Sequence, residues 1–434
     1  VSDYEARKAA ALDALAEGDA ERAFRELRWA LTDGHAGDVD AARLADGLGV
    51  LARIIVAMGD RELAERCAAA SVAIGDDTAL YELGYQLIEA GLPGIAATVL
   101  RRCLALVPGT EAVVTELVAA LERDLRYGDA RAVLEAHPEL RAESFLCRYL
   151  YAYDAAMSGD LAVTRAVGPT LVPRDDGERF MAERIAAIVG RADRVSGVCP
   201  LDATDLRGWH YVITGGVLLH RSAHGYADGM RGRYAWLQDS LARVRTGLER
   251  LRDALAAWGI SPPCVYAPPG RDHEVLAAAA SLVLGVPGTP WPAVGLPAPG
   301  LVVVYDLATV PWRDLERLVD RRPGQILYAH ASPWTEDAGV APDLTTLLHQ
   351  SLVAPWSERL VLADAAGPRT RPADDRPPEL IASEVPGTSG LDAAETEHDD
   401  LPGLAALIAA AGAPVVGRRE RLWAGSPVAS NRFL

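Results

Sequence analysis

The sequence predicts an α solenoid of paired helices followed by an α/β domain with a mainly parallel sheet. Three observations predict it. Turn glycines recur through the first part of the chain at Gly18, Gly59, Gly91, Gly128 and Gly159, separated by 41, 32, 37 and 31 residues. Small residues stand at fixed offsets from the first three of them. Near residue 195 the helical spacing stops, and β-branched runs begin to alternate with helical patterns.

In the helical half, each turn glycine punctuates an alanine-rich stretch of helical period. Asp follows it at Asp19, Asp60, Asp129 and Asp160. Glycine supplies the tight turn between antiparallel helices, and Asp starts the next helix by capping it. Ala23, Ala64 and Ala96 stand five residues after the first three glycines. Ala11, Ala52 and Gly84 stand seven before, and Ala30, Ser71 and Cys103 twelve after. Small side chains at these positions let two helices approach closely. The pattern Gly84, Gly91, Ala96, Leu100, Cys103, Pro108 resembles the tetratricopeptide repeat (TPR). Three units match, and those around Gly128 and Gly159 keep the turn and lose the small residues. The resemblance implies a superhelix whose concave groove holds a peptide or protein partner, in part the chain's own C-terminal domain.

Composition bounds the function. The 434 residues suit two or three domains. The expected boundaries are 1–194 for the repeats, 195–363 for the α/β domain, 364–400 for an acidic Pro/Gly-rich linker or excursion, and 401–434 for a C-terminal segment packing on the α/β domain. The net charge of −17 excludes broad binding to nucleic acid or anionic membrane. Of 43 cationic residues, one is lysine, Lys8. With the abundant alanine, this points to a GC-rich bacterial genome, such as an actinobacterium. The five cysteines are scattered and form no CxxC, which argues against a disulfide framework or thiolate zinc site. No run of eighteen apolar residues and no signal pattern occur, so a cytoplasmic location is expected.

In the second domain the expected strands are Tyr211–Ile213, Cys264–Ala267, Leu301–Tyr305, Gln325–Ala329 and Arg359–Leu362. The expected helices are Arg233–Trp258, Asp272–Leu284, Val310–Asp320 and Asp343–Leu352, with Asp343 as the cap of the last. Parallel sheets bind ligands beyond the carboxyl ends of their strands. That rule selects the loop with Arg271, the strand end with Asp306 and Thr309, and the segment with His330, Ser332 and Trp334. The order Pro268-Pro269-Gly270-Arg271-Asp272, then Leu284-Gly285-Val286-Pro287, then Leu301–Tyr305 and Asp306-Leu307-Ala308-Thr309 resembles the core of type I phosphoribosyltransferases over residues 262–331. That family carries a second acid where Leu307 stands, and phosphate-cradling glycines where Val310-Pro311-Trp312 stand. The resemblance therefore implies a kept scaffold with a changed ligand.

Thr214, Gly215 and Gly216 follow an expected strand and offer backbone N–H groups to an anion. Arg231 and Arg233 sit at an expected helix start, where cations oppose the helix dipole, and so are read as facing an anion. His220 and His224 are four apart, but Gly215, Gly216 and Gly225 argue against a helix, and no metal is assigned. Leu401–Ala411 is expected to be helical, with a late strand near Pro414-Val415-Val416. The leading reading is a protein-interaction protein whose α/β domain binds a small anionic, nucleotide-like ligand. Its rivals are a tailoring enzyme, with Asp306 and His330 doing acid–base work on a captured substrate, and a scaffold with an inert α/β domain. The motifs assign no cofactor.

Overall fold

A computed structural model describes residues 2–32, 40–363 and 367–430. It divides into two compact units, Val1–Ile185 and Ala186–Leu434. The division falls inside the helix Asp176–Val195, slightly before the boundary expected from composition.

The first unit is a run of consecutive helices, each packed mainly on its neighbours in sequence. The expected turn chemistry is present. Gly18, Gly59, Gly91 and Gly159 adopt left-handed φ between +74° and +98°. Asp60 caps the helix Arg61–Val72 by accepting from Leu63 N, and Asp160 caps Leu161–Val167 by accepting from Val163 N. The fourth turn differs. Gly128 lies within the helix Tyr127–Glu135, and Leu125 takes the left-handed position at φ +60°. Gly84 shows why a small residue is required at its offset: a Cβ there would lie 2.5 Å from Leu100 Cγ. One contact departs from a simple succession of pairs. The helix Ala20–Thr32 also packs on Pro93–Leu106, where Thr98 Oγ1 donates to Leu31 O at 2.7 Å.

The second unit is built on a seven-stranded, all-parallel sheet. Its strands are β1 (Val217–Leu218), β2 (Tyr234–Gln238), β3 (Val265–Tyr266), β4 (Gly288–Thr289), β5 (Gly300–Asp306), β7 (Gln325–Pro333) and β8 (Leu344–Val353). The short strand β6 (Asp320–Arg321) pairs elsewhere, with β11 (Gly417–Arg418), and β9 (Arg359–Ala363) forms a hairpin with β10 (Gly367–Arg371). The sheet order is β1-β8-β7-β5-β3-β4. β2 extends the β1 edge by pairing with the later half of β8, Tyr234 opposite His349. Buried Val302, Val304, Leu327 and Ala329 form the core on one face, as expected for strands covered on both sides.

Four local expectations are corrected. Tyr211–Ile213 is helical, within Leu206–Thr214, because Asp205 caps its start and Gly215 ends it at φ +76°. A short apolar run does not separate strand from buried helix. The pattern at 233–258 divides into β2 and the helix Leu241–Ala257, capped by Ser240. Leu344–Val353 is strand, not helix, and Asp343 is no cap: its carboxylate accepts from Arg321, Arg419 and the backbone N–H of Leu327. Within Val310–Asp320 only Trp312–Glu316 is α-helical.

The expected linker carries short helices at Pro378–Ala382 and Ala393–Thr396, and it buries Asp399 completely. The helix Leu401–Ala411 is present, and the late strand is the two-residue β11. Residues 364–366 of that linker and 431–434 of the C-terminal segment lie outside the described residues.

Candidate ligand-binding site

The sequence-selected residues separate into three places. At the carboxyl end of the sheet, Asp306 and His330 each have their own partner. Asp306 Oδ1 meets His349 Nε2 at 3.0 Å and also caps the turn that follows by accepting from Ala308 N. His330 is fully buried in mid-strand, not in a loop. Its Nε2 meets Asp239 Oδ2 at 2.9 Å, and the Tyr305 hydroxyl donates to the same oxygen. Burial would raise the Asp239 pKa, but His330 and Arg243 outweigh it and hold it at about 2. Ser332 is also buried, its hydroxyl 2.9 Å from that of Thr345. Thr309 is exposed and donates to Asp306 O. Arg271 is exposed and holds the carbonyls of Asp374 and Arg376. These groups are wired into the fold rather than converged on one point.

The second place is the end of the helix Leu206–Thr214. The N–H of Gly215 donates to Tyr211 O and that of Gly216 to Thr214 Oγ1, so both are already used. Gly216 serves close packing instead, because a Cβ there would lie 2.2 Å from Pro342 O. Thr214 and Gly215 nevertheless line a cavity of about 360 Å³ in this unit. Val217, at the start of β1, lines it, at the amino end of that strand.

Among the described residues, five arginines line that cavity, Arg191, Arg194, Arg321, Arg418 and Arg419, with Glu420 the one carboxylate on its wall. Arg191 and Arg194 are three apart on one helix and so share a face. Arg191 Nε donates to Val212 O, and its Nη1 pairs with Glu420 at 3.3 Å. Arg419 is buried. It donates to Leu318 O, Gln325 and Asp343, and its Nε has no partner. Burial lowers its pKa, with Asp343 opposing. Asp343, shared by Arg321 and Arg419, is held below the usual carboxylate range by those two cations, against the effect of burial. The aromatic side chains of Tyr211 and Trp258 complete the wall. The cavity is therefore markedly cationic in a chain of net charge −17.

The third place gathers Arg233 and Trp334. The Arg233 guanidinium carbon lies 5.3 Å from the centre of the Trp334 ring, and Trp334 Nε1 donates to Tyr234 O. Arg231, its expected companion, is turned away. It adopts φ +46° and donates to Ala203 O. Neither residue opens a helix.

Similarity adds nothing to this geometry. No protein-family model matches the chain, and no curated protein is similar to it. Among the described residues, no group of three or more His, Cys, Asp or Glu is arranged to hold a metal ion. His220 has a different task, bridging Asp399 at 2.7 Å and the Tyr234 hydroxyl at 3.0 Å.

Sequence reasoning missed Arg191, Arg194, Arg321, Arg418 and Arg419. The three-residue spacing of the first pair and the doublet at 418–419 were visible. Arginine is this chain's default surface cation, so neither stood out.

Proposed function

We propose that the α/β unit binds a small anionic, nucleotide-like ligand in the arginine-lined cavity. The carrying observation is the five arginines around about 360 Å³, a volume in the range of small-molecule sites. Arginine donors suit phosphate oxygens, and the Tyr211 and Trp258 rings suit a planar base. In this reading the phosphate lies toward Arg194 and Arg418, whose side chains are the more exposed of the five residues. The helical unit is a tetratricopeptide-type repeat that holds a peptide or protein partner, as its turn and small-residue spacing suggest.

The test titrates the full chain with inorganic phosphate, ribose 5-phosphate and adenosine monophosphate, following heat release and melting temperature. The monophosphate raises the melting temperature saturably and binds more tightly than phosphate alone. Arg194→Gln combined with Arg418→Gln weakens it at least tenfold. A flat response to all three compounds removes the reading. A displayed peptide library selected on the full chain tests the helical unit, and enrichment of no common motif counts against it.

A further inference from the structure

Among the described residues, Arg233 is a buried cation without an anion. Its residue surface is 2% exposed. Nη2 donates to Val428 O at 2.9 Å, while Nε and Nη1 have no hydrogen-bond partner. Burial and the like charge of Arg231 push its pKa down to about 9, so it stays charged at neutral pH. Other buried arginines of this unit have counter-ions: Arg207 has Asp399, Arg243 has Asp239, and Arg419 has Asp343. A buried charge left unpaired is strongly unfavourable, comparable to a broken buried ion pair. The Trp334 ring, under the guanidinium, offsets part of that cost.

The groups around Arg233 form a receptacle. It shares a small cavity with His210, Thr214, Trp209, Trp334 and Trp423. His210 is also buried, with Nε2 unpartnered. Two unpartnered guanidinium nitrogens and one unpartnered imidazole nitrogen therefore belong to residues that line one space. That space is about 20 Å³, enough for an occupant of roughly water size, since one water needs about 10–15 Å³ by this measure. Tryptophan walls keep the surroundings apolar, where a charge-assisted hydrogen bond is strong.

We propose that this cavity is a specific site for a small monovalent anion head, a halide or a carboxylate, held by an unpartnered guanidinium N–H of Arg233 and by the N–H of the Nε2 tautomer of His210. A phosphate ester is too large for it, which separates it from the arginine-lined cavity. The two readings stand on different arginines, so loss of one leaves the other standing.

The experiment uses the full chain, dialysed into buffer whose ionic strength is held with sodium methanesulfonate. Chloride, bromide, formate and acetate are titrated in turn, reading melting temperature and tryptophan emission. A saturable response to at least one ion is expected, and Arg233→Met abolishes it or weakens it more than tenfold. If Arg233→Met does not fold, Arg233→Lys keeps the charge and loses the guanidinium donor, and His210→Phe removes the imidazole donor. Each then weakens the ion at least fivefold. Formate ahead of chloride identifies a carboxylate, and chloride ahead of formate identifies a free halide. No saturable response to any of the four ions, or an unchanged response in the folded variants, overturns the proposal.

Discussion

Single buried charges govern the second unit. Asp343 joins Arg321, Arg419 and the Leu327 N–H at the start of β8. Asp343→Ala leaves two guanidinium groups without their carboxylate and lowers stability by about 3–5 kcal/mol. Denaturant unfolding followed by tryptophan emission reads this unit, since eight of the nine tryptophans lie within it. Asp239 makes a pH prediction. Its folded pKa, about 2, lies below the roughly 3.9 of an unfolded Asp. Its contribution, about 2–3 kcal/mol, is therefore complete above about pH 4 and lost as pH falls from there toward 2. Asp239→Asn lowers stability at pH 7 and flattens that acid loss. His210 acts in the same direction at higher pH. Burial and Arg233 hold it at about 4, so folded-state stability falls as pH drops from about 6.5 toward 4. His210→Phe removes that portion of the slope in denaturant curves taken at pH 7 and pH 5.

At the scale of elements, caps and close approaches decide what the hydrophobic pattern leaves open. The helix Leu206–Thr214 contains Tyr-Val-Ile, residues that favour strands, and it is helical because Asp205 and Gly215 bound it. Gly216 then turns the chain against Pro342 O into β1. Gly216→Ala forces backbone apart there and costs about 1–3 kcal/mol, measurable as a lower urea midpoint. The same reasoning explains what was legible. The turn glycines, the Asp caps and strands β3, β5 and β7 could be read because each rests on neighbours in sequence. β8 was misread because Leu344-Thr345-Thr346-Leu347-Leu348 alternates with neither period, and only burial between two parallel strands makes it a strand.

For the whole molecule, charge is distributed against its own sign. A chain of −17 concentrates five arginines around one cavity, on segments drawn from residues 191 to 419. No local window of sequence could display that convergence, which is why the candidate site was less legible than the fold. The strand-end rule pointed to the carboxyl edge, where Asp306, His330 and Ser332 prove to be internally paired. The cavity opens at the other end. The acidic remainder of the surface repels anions, so ligand capture depends on the local field. Affinity for adenosine monophosphate should fall severalfold between 50 mM and 500 mM salt, as screening shortens the reach of those cations.

Asp399 has a consequence for how the protein is made. It comes late in the chain, yet it accepts from Arg207, Arg250, His220 and the N–H of Arg221, all encoded far earlier. Residues 411–420 follow it and supply one wall of the arginine-lined cavity. While a ribosome still holds these residues, the cations they neutralise are already outside and have no counter-ion. The second unit therefore closes only after Asp399 and residues 411–420 have emerged. The helical unit, whose contacts run between neighbours, can fold as it emerges.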